Sequence, residues 1–156
     1  MTDDMNPPTG TATNGLPAAT TRRRGDGVVT LEVPADPRYL RVVRLVASAC
    51  ATDAGFDIDD VEDVRVAADE LCAGALELQP LDTIVLTFEA AEGKFTMRGS
   101  ASLPSDGPDT ADESGATDLR TAILGVVVDS HSLAISRDGS GAQVTIGFTK
   151  HQAEVA

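Results

Sequence analysis

Glu70 is the residue of this chain whose type and setting could do chemistry most directly. It lies in Val66-Ala67-Ala68-Asp69-Glu70-Leu71-Cys72, where Ile58, Val61, Val64, Ala68, Leu71, Ala75 and Leu78 recur at the spacing of an amphipathic helix. A carboxylate on the edge of such a stripe can accept a proton from a hydroxyl nucleophile. On residue type alone it reads as an exposed helix glutamate, with the proton acceptor as the alternative. Asp69 and Glu70 are adjacent, so they point about 100° apart on a helix and do not form a carboxylate pair. Gly74 follows Glu70 by one turn and brings no side-chain oxygen.

Other candidates are weaker. Asp138-Gly139-Ser140-Gly141 stands between two strand-like runs and leads into no helix, which reads as a hairpin turn and not a phosphate loop. His131 has no Ser, Cys or Asp in a triad pattern. Cys50 and Cys72 sit on apolar helical faces without paired spacing, so buried thiols are expected, with no metal site and no disulfide.

The elements that must hold these residues are legible as periodicities. Val29, Leu31 and Val33 alternate as a strand ended by Pro34. Asp36 and Pro37 then suit the start of a helix with the stripe Leu40, Val43, Ala47, Cys50 and Ala54, closed by Gly55. Asp57 caps the second helix, whose first turns carry Asp59, Asp60, Glu62 and Asp63 near the positive end of its dipole, and Pro80 stops it. Ile84, Leu86 and Phe88, a turn at Glu92-Gly93, and Phe95 and Met97 make a hairpin. A long acidic loop runs from Ala101 to Gly115. Leu119, Ala122, Ile123, Val126 and Val127 then repeat as a third helix, and Leu133 and Ile135 pair with Val144, Ile146 and Phe148 in a closing hairpin.

This order predicts an α+β fold, a two-layer sandwich with helices on one face of a mostly antiparallel sheet. We expect a disordered tail at 1–26, where the basic run Arg22-Arg23-Arg24 is solvated, one domain over 27–150, a frayed end at 151–156, and no internal repeat. A net charge of −13, from 25 acidic and 12 basic residues, disfavours direct nucleic-acid binding and suits a basic protein partner; solubility alone is the other use of such charge. With no bilayer-length apolar run and no signal-like start, the expectation is a cytoplasmic protein that does not engage a membrane.

Pro34-Ala35-Asp36-Pro37, Leu40 and Arg44, followed by Val66 to Cys72, resemble the RsbW-type anti-sigma factors of the GHKL (gyrase, histidine-kinase and MutL) ATPase superfamily. The resemblance spans roughly Val28 to Lys150. It implies a histidine-kinase-like ATPase fold, and a protein that sequesters a sigma factor until an anti-anti-sigma protein displaces it. It also implies a homodimer formed through the sheet edge or the first helix. Many such proteins are serine kinases of that antagonist, in which the glutamate matched by Glu70 serves as base. An asparagine one turn later, at the position of Gly74, holds Mg²⁺. Where these kinases have an Asp-x-Gly-x-Gly adenine motif, this chain reads Gly99-Ser100-Ala101-Ser102-Leu103, with Asp106-Gly107-Pro108 as a shifted remnant. Gly115 alone stands for the glycine-rich lid, among Asp112, Glu113 and Asp118. Arg44, with Arg41 beside it, falls where the resemblance implies partner docking. Three functions follow as expectations: a non-enzymatic sigma-factor regulator with no cofactor, an ATP- and Mg²⁺-dependent serine kinase, or a scaffold.

Overall fold

The structure, a computed structural model, describes residues 27–78, 81–103, 115–139 and 141–154. The expected tail at 1–26, the Asp106-Gly107-Pro108 remnant, Asp112 and Glu113 lie outside those residues.

The chain runs β1 (Gly27–Pro34), a short 3-10 turn (Pro37–Tyr39), α1 (Leu40–Asp53), α2 (Ile58–Leu78), β2 (Thr83–Ala91), β3 (Lys94–Leu103), α3 (Gly115–Val127), β4 (Ser130–Asp138) and β5 (Gly141–His151). The strands form one sheet in the order β1-β2-β3-β5-β4, antiparallel at every pairing. The three helices pack on it, giving the expected α+β sandwich. None of the described helices is long and apolar enough to cross a membrane.

Local chemistry accounts for the joints. Asp36 accepts from the Arg38 amide and caps the 3-10 turn, which passes into α1, so the α-helix starts at Leu40 and not at Pro37. At the other end the Phe56 amide donates to the Ala51 carbonyl and the Gly55 amide to that of Thr52, while Gly55 adopts φ 84°. This is the left-handed helix ending that glycine tolerates. Gly55→Ala is expected to cost about 1 kcal/mol through that backbone conformation alone, read as a lowered urea midpoint at unchanged slope. Asp57 then accepts from the Asp60 amide and starts α2. The β2–β3 turn places Glu92 and Gly93 both at positive φ, as a two-residue hairpin loop requires.

All four phenylalanines meet beneath the α1–α2 joint. Phe95 stacks on Phe148 at 5.7 Å between ring centroids, with Phe56 edge-on at 6.3 Å and Phe88 tilted at 6.4 Å. Around them Val43, Ala47, Val64, Ala68, Leu71, Leu86, Met97 and Val144 complete the core.

Four expectations need correction. β3 continues through Ala101, Ser102 and Leu103, which pair with Val144, Gln143 and Ala142, so the acidic loop starts later than Ala101. Ile58 begins α2 but stands 85 % exposed, ahead of the buried stripe. α3 is helical as expected, yet it turns Leu124 inward with Arg120 and leaves Leu119 and Val126 exposed. Of the expected frayed end, His151 still belongs to β5, the Gln152 amide donates to the Gly93 carbonyl, and the Ala153 amide donates to Asp60.

Candidate functional site

On α2, Glu70, Gly74 and Glu77 are spaced i, i+4 and i+7 and therefore share one face. Gly74 makes a notch in that face. A Cβ there would lie 2.9 Å from Leu133 Cδ1 on β4 and 3.2 Å from both Cδ and Nε of Arg120 on α3. A glycine inside a helix costs about 1 kcal/mol relative to alanine; here it lets the arginine side chain lie against the α2 backbone.

Arg120 runs through the notch and meets a carboxylate on each side. Its Nη2 donates to Glu77 Oε1 and Oε2 at 3.1 and 3.0 Å, and its Nε lies 3.5 Å from Glu70 Oε2. The Arg120 side chain is 14 % exposed and that of Glu70 29 %. The Nε itself is shielded from solvent and makes no hydrogen bond; Glu70 answers its charge without the alignment a hydrogen bond needs. Burying a guanidinium is costly unless its charge is met, and α3 is rotated so that Arg120 meets both carboxylates while Leu124 and the half-buried Val127 face the core. Arg120 and Leu124, four residues apart, face inward, which carries Leu119 and Val126 outward.

The adjacent acids serve different helices. Asp69 accepts from Arg44 Nη1 of α1 at 2.7 Å, whereas Glu70 faces Arg120 of α3. Arg44 is thus held across the α1–α2 contact, while Arg41 is exposed and makes no ion pair among the described residues. Leu45, one turn after Arg41, is 69 % exposed. Gly115 opens α3, a little over one turn before Arg120. The structure therefore joins Glu70 and Gly74 in one cluster, puts Gly115 on the helix that completes it, and sets Arg41 and Arg44 apart on α1.

Sequence reasoning missed Arg120. The available signal was its being the sole basic residue in α3, directly after the stretch taken as the lid.

Cys72 is buried, and burial, with Asp69 adding to it, pushes its thiol up to about 12. Cys50 is half-buried and is raised by burial and then by Asp53. Both are free thiols, and neither is an activated nucleophile. Thiol titration of the folded protein near pH 8 is expected to leave Cys72 unmodified until denaturant is added.

A divalent metal does not fit the α2 cluster. Mg²⁺ takes oxygen ligands, Gly74 provides none, and the space beside Glu70 is filled by a guanidinium. No group of three or more His, Cys, Asp or Glu able to hold a metal occurs among the described residues. A broad concavity of about 650 Å³ lies elsewhere, lined by Thr87, Arg98, Ser100, Ser132, Thr145 and their neighbours on the sheet, with no residue of α2 or α3.

With the sandwich and the α2 cluster described, comparison with known proteins fixes the class. Residues 33–146 match the model of the histidine kinase-like ATPase domain, and the chain belongs to that family. More narrowly, part of it is similar to proteins named serine-protein kinase RsbW. It is 37 % identical to the one from Bacillus velezensis over 49 residues, 31 % of each chain, and 35 % identical to that of Bacillus subtilis (strain 168) over the same length and shares. With the Bacillus licheniformis protein it shares 33 % identity over 55 residues, 35 % of this chain and 34 % of that one. The chain spans about a third of the length of these curated relatives.

Proposed function

We propose that this protein is a binding regulator of the anti-sigma type. It sequesters an alternative sigma factor and releases it when an anti-anti-sigma protein occupies the same surface. The observation that carries this reading is the outward face of α1. Arg41 and Leu45, one turn apart, present a cation without an ion pair among the described residues and a 69 % exposed apolar side chain on a chain of net charge −13. An arginine beside apolar surface is a frequent anchor of protein interfaces. Arg44, locked to Asp69, would hold the helix at a fixed angle beneath them. The partial similarity to RsbW proteins supports the same reading. Mutually exclusive binding then makes the free sigma pool a matter of relative affinity and concentration. A homodimer through the β1 edge, where Val28 and Val29 are exposed, or through α1 belongs to this reading.

Within it the nucleotide motifs are degenerate: Gly74 supplies no metal ligand and Glu70 is the trace of a base. Phosphoryl transfer depends on positioned cations around the phosphates, and the α2 cluster offers them no metal.

The second reading is a working serine kinase of the antagonist. It is favoured by membership of an ATPase domain family and by the partial exposure of Glu70.

Co-purification from the native cell, with partners identified by mass spectrometry, tests the first. A sigma factor is expected among them, and Arg41→Glu with Leu45→Ala is expected to weaken its binding at least tenfold. A sigma factor bound equally well by that variant would remove α1 from the interface, and the absence of any sigma factor would leave the scaffold. Mg²⁺-dependent transfer of phosphate to a serine of the antagonist, abolished by Glu70→Gln, would establish the kinase.

A further inference from the structure

We propose that Arg120 is a built-in cation that stands where a metal would, so that α3 docks on α2 without nucleotide or divalent ion. The inference rests on the family and on the α2 cluster, and it is independent of which protein the α1 face binds.

Two observations converge on it. The Gly74 notch is occupied by Cδ and Nε of Arg120 and by Leu133, so a Cβ fits only if they shift and the larger asparagine side chain only by displacing them. The guanidinium is bracketed by Glu70 on one side and Glu77 on the other, with its Nε out of solvent. Glu70 and Glu77 lie two turns apart on one helix face, and one side chain from a neighbouring helix meets both. A metal entering this place would first have to displace Arg120 from both carboxylates.

A tethered cation differs from a dissociable one in what it makes conditional. Metal and triphosphate stabilise whatever they hold only as far as their concentrations exceed their dissociation constants, and then logarithmically. Arg120 is always present, so the helix that follows the lid segment is held in place at any ATP level. Any switching of this protein then depends on its protein partners and not on nucleotide.

The test is amide hydrogen exchange on the full chain, with and without millimolar MgATP, together with Mn²⁺ titration followed by NMR line broadening. In the wild type, protection of α3 amides is expected to be the same within twofold with MgATP, and Mn²⁺ is expected to leave the Glu70 and Glu77 amides sharp. Arg120→Met keeps much of the stem and removes the charge. It is expected to lower protection across α3 at least tenfold while leaving β2 and β3 unchanged. Arg120→Lys, which restores charge without the planar fork, is expected to fall between them and serves alone if the methionine variant does not fold. A tenfold rise in wild-type α3 protection on adding MgATP would overturn the proposal. So would Mn²⁺ broadening at Glu70 in the wild type, or α3 protection in both variants equal to that of the wild type.

Discussion

Lys150→Met is expected to remove about 3 kcal/mol of stability and to lower the melting temperature by roughly 9 °C for a domain of this size. The Lys150 side chain is only 15 % exposed, and its ammonium donates to Asp63 Oδ2 at 2.8 Å and lies 3.2 Å from Oδ1 of Asp60, whose side chain is 6 % exposed. A carboxylate so nearly buried is tolerable only while its charge is answered. Methionine matches the stem of lysine in size, so the packing survives and the loss isolates the charge. Two features keep it from being larger. The Ala153 amide still donates to Asp60 Oδ2 at 2.9 Å, and Asp60 lies in the first turn of α2, where the dipole favours an anion. Asp60→Asn added to Lys150→Met is expected to recover part of the loss, because no buried charge is then left unpaired; urea denaturation of the four proteins in the cycle gives the coupling.

The same pair has a pH signature. Burial works to lower the Lys150 pKa, but hydrogen bonds and charge from Asp63 and Asp60 outweigh it, and the folded value is raised above 10.5. A raised lysine pKa means the stabilisation is complete below the unfolded value and is lost as pH rises through the folded one. The stability gap between wild type and Lys150→Met should therefore be flat from pH 7 to about 9.5 and close above about 10.5. A gap that narrowed between pH 7 and about 6 and did not narrow at all as pH rose above about 10.5 would place the effect on another group.

These two clusters mark the boundary of what the sequence discloses. Periods of 3.6 and 2 are local properties, and they located the α-helices and strands of the described residues, because an apolar face must be buried wherever the chain takes it. The glycines and aspartates at the joints were readable for the same reason: Gly55, Asp57 and Glu92-Gly93 act on residues within one turn of themselves. Asp60 was read as one of several acids favouring the start of α2, and that is half its role. Its other half is a contact with Lys150 and Ala153, some 90 residues away, which no pattern within α2 encodes. The third helix shows the limit most clearly. Its apolar residues suffice for an amphipathic reading, but they outnumber one face, and the face that turns inward carries Leu124 and Val127 together with Arg120, whose carboxylate partners lie on another helix. Leu119 and Val126 are left outside. Gly74 was singled out for the oxygen it lacks, and the structure adds the complementary fact of what occupies the space it leaves.

Gly74→Asn, which would supply the residue type that the family resemblance assigns to metal binding, is expected to lower stability by about 2 kcal/mol and to bring no Mg²⁺ affinity. Relative to glycine the new residue gains a few tenths of a kcal/mol in helix propensity. Against this, its Cβ would sit 2.9 Å from Leu133 Cδ1 and 3.2 Å from two atoms of Arg120, and the amide beyond it must enter space already filled. Both neighbours are side-chain atoms and can move, so the outcome is displacement and not failure to fold, within the usual range for overpacking of about 1–3 kcal/mol. What moves matters more than the strain. Arg120 can leave the notch only by giving up its 3.0 and 3.1 Å hydrogen bonds to Glu77 or its 3.5 Å approach to Glu70. Gly74→Ala separates the contributions: it carries the same Cβ and gains about 1 kcal/mol of helix propensity, and is expected to stay within about 1 kcal/mol of the wild type. The decisive comparison sets Gly74→Asn in an Arg120→Ala background, where its cost is expected to fall by at least half, since one of its two obstructions is gone. If the cost were unchanged, Leu133 alone would be the obstacle. Titration calorimetry of Gly74→Asn with Mg²⁺ is expected to match the wild type, because one amide oxygen beside a fixed guanidinium does not make a cation site.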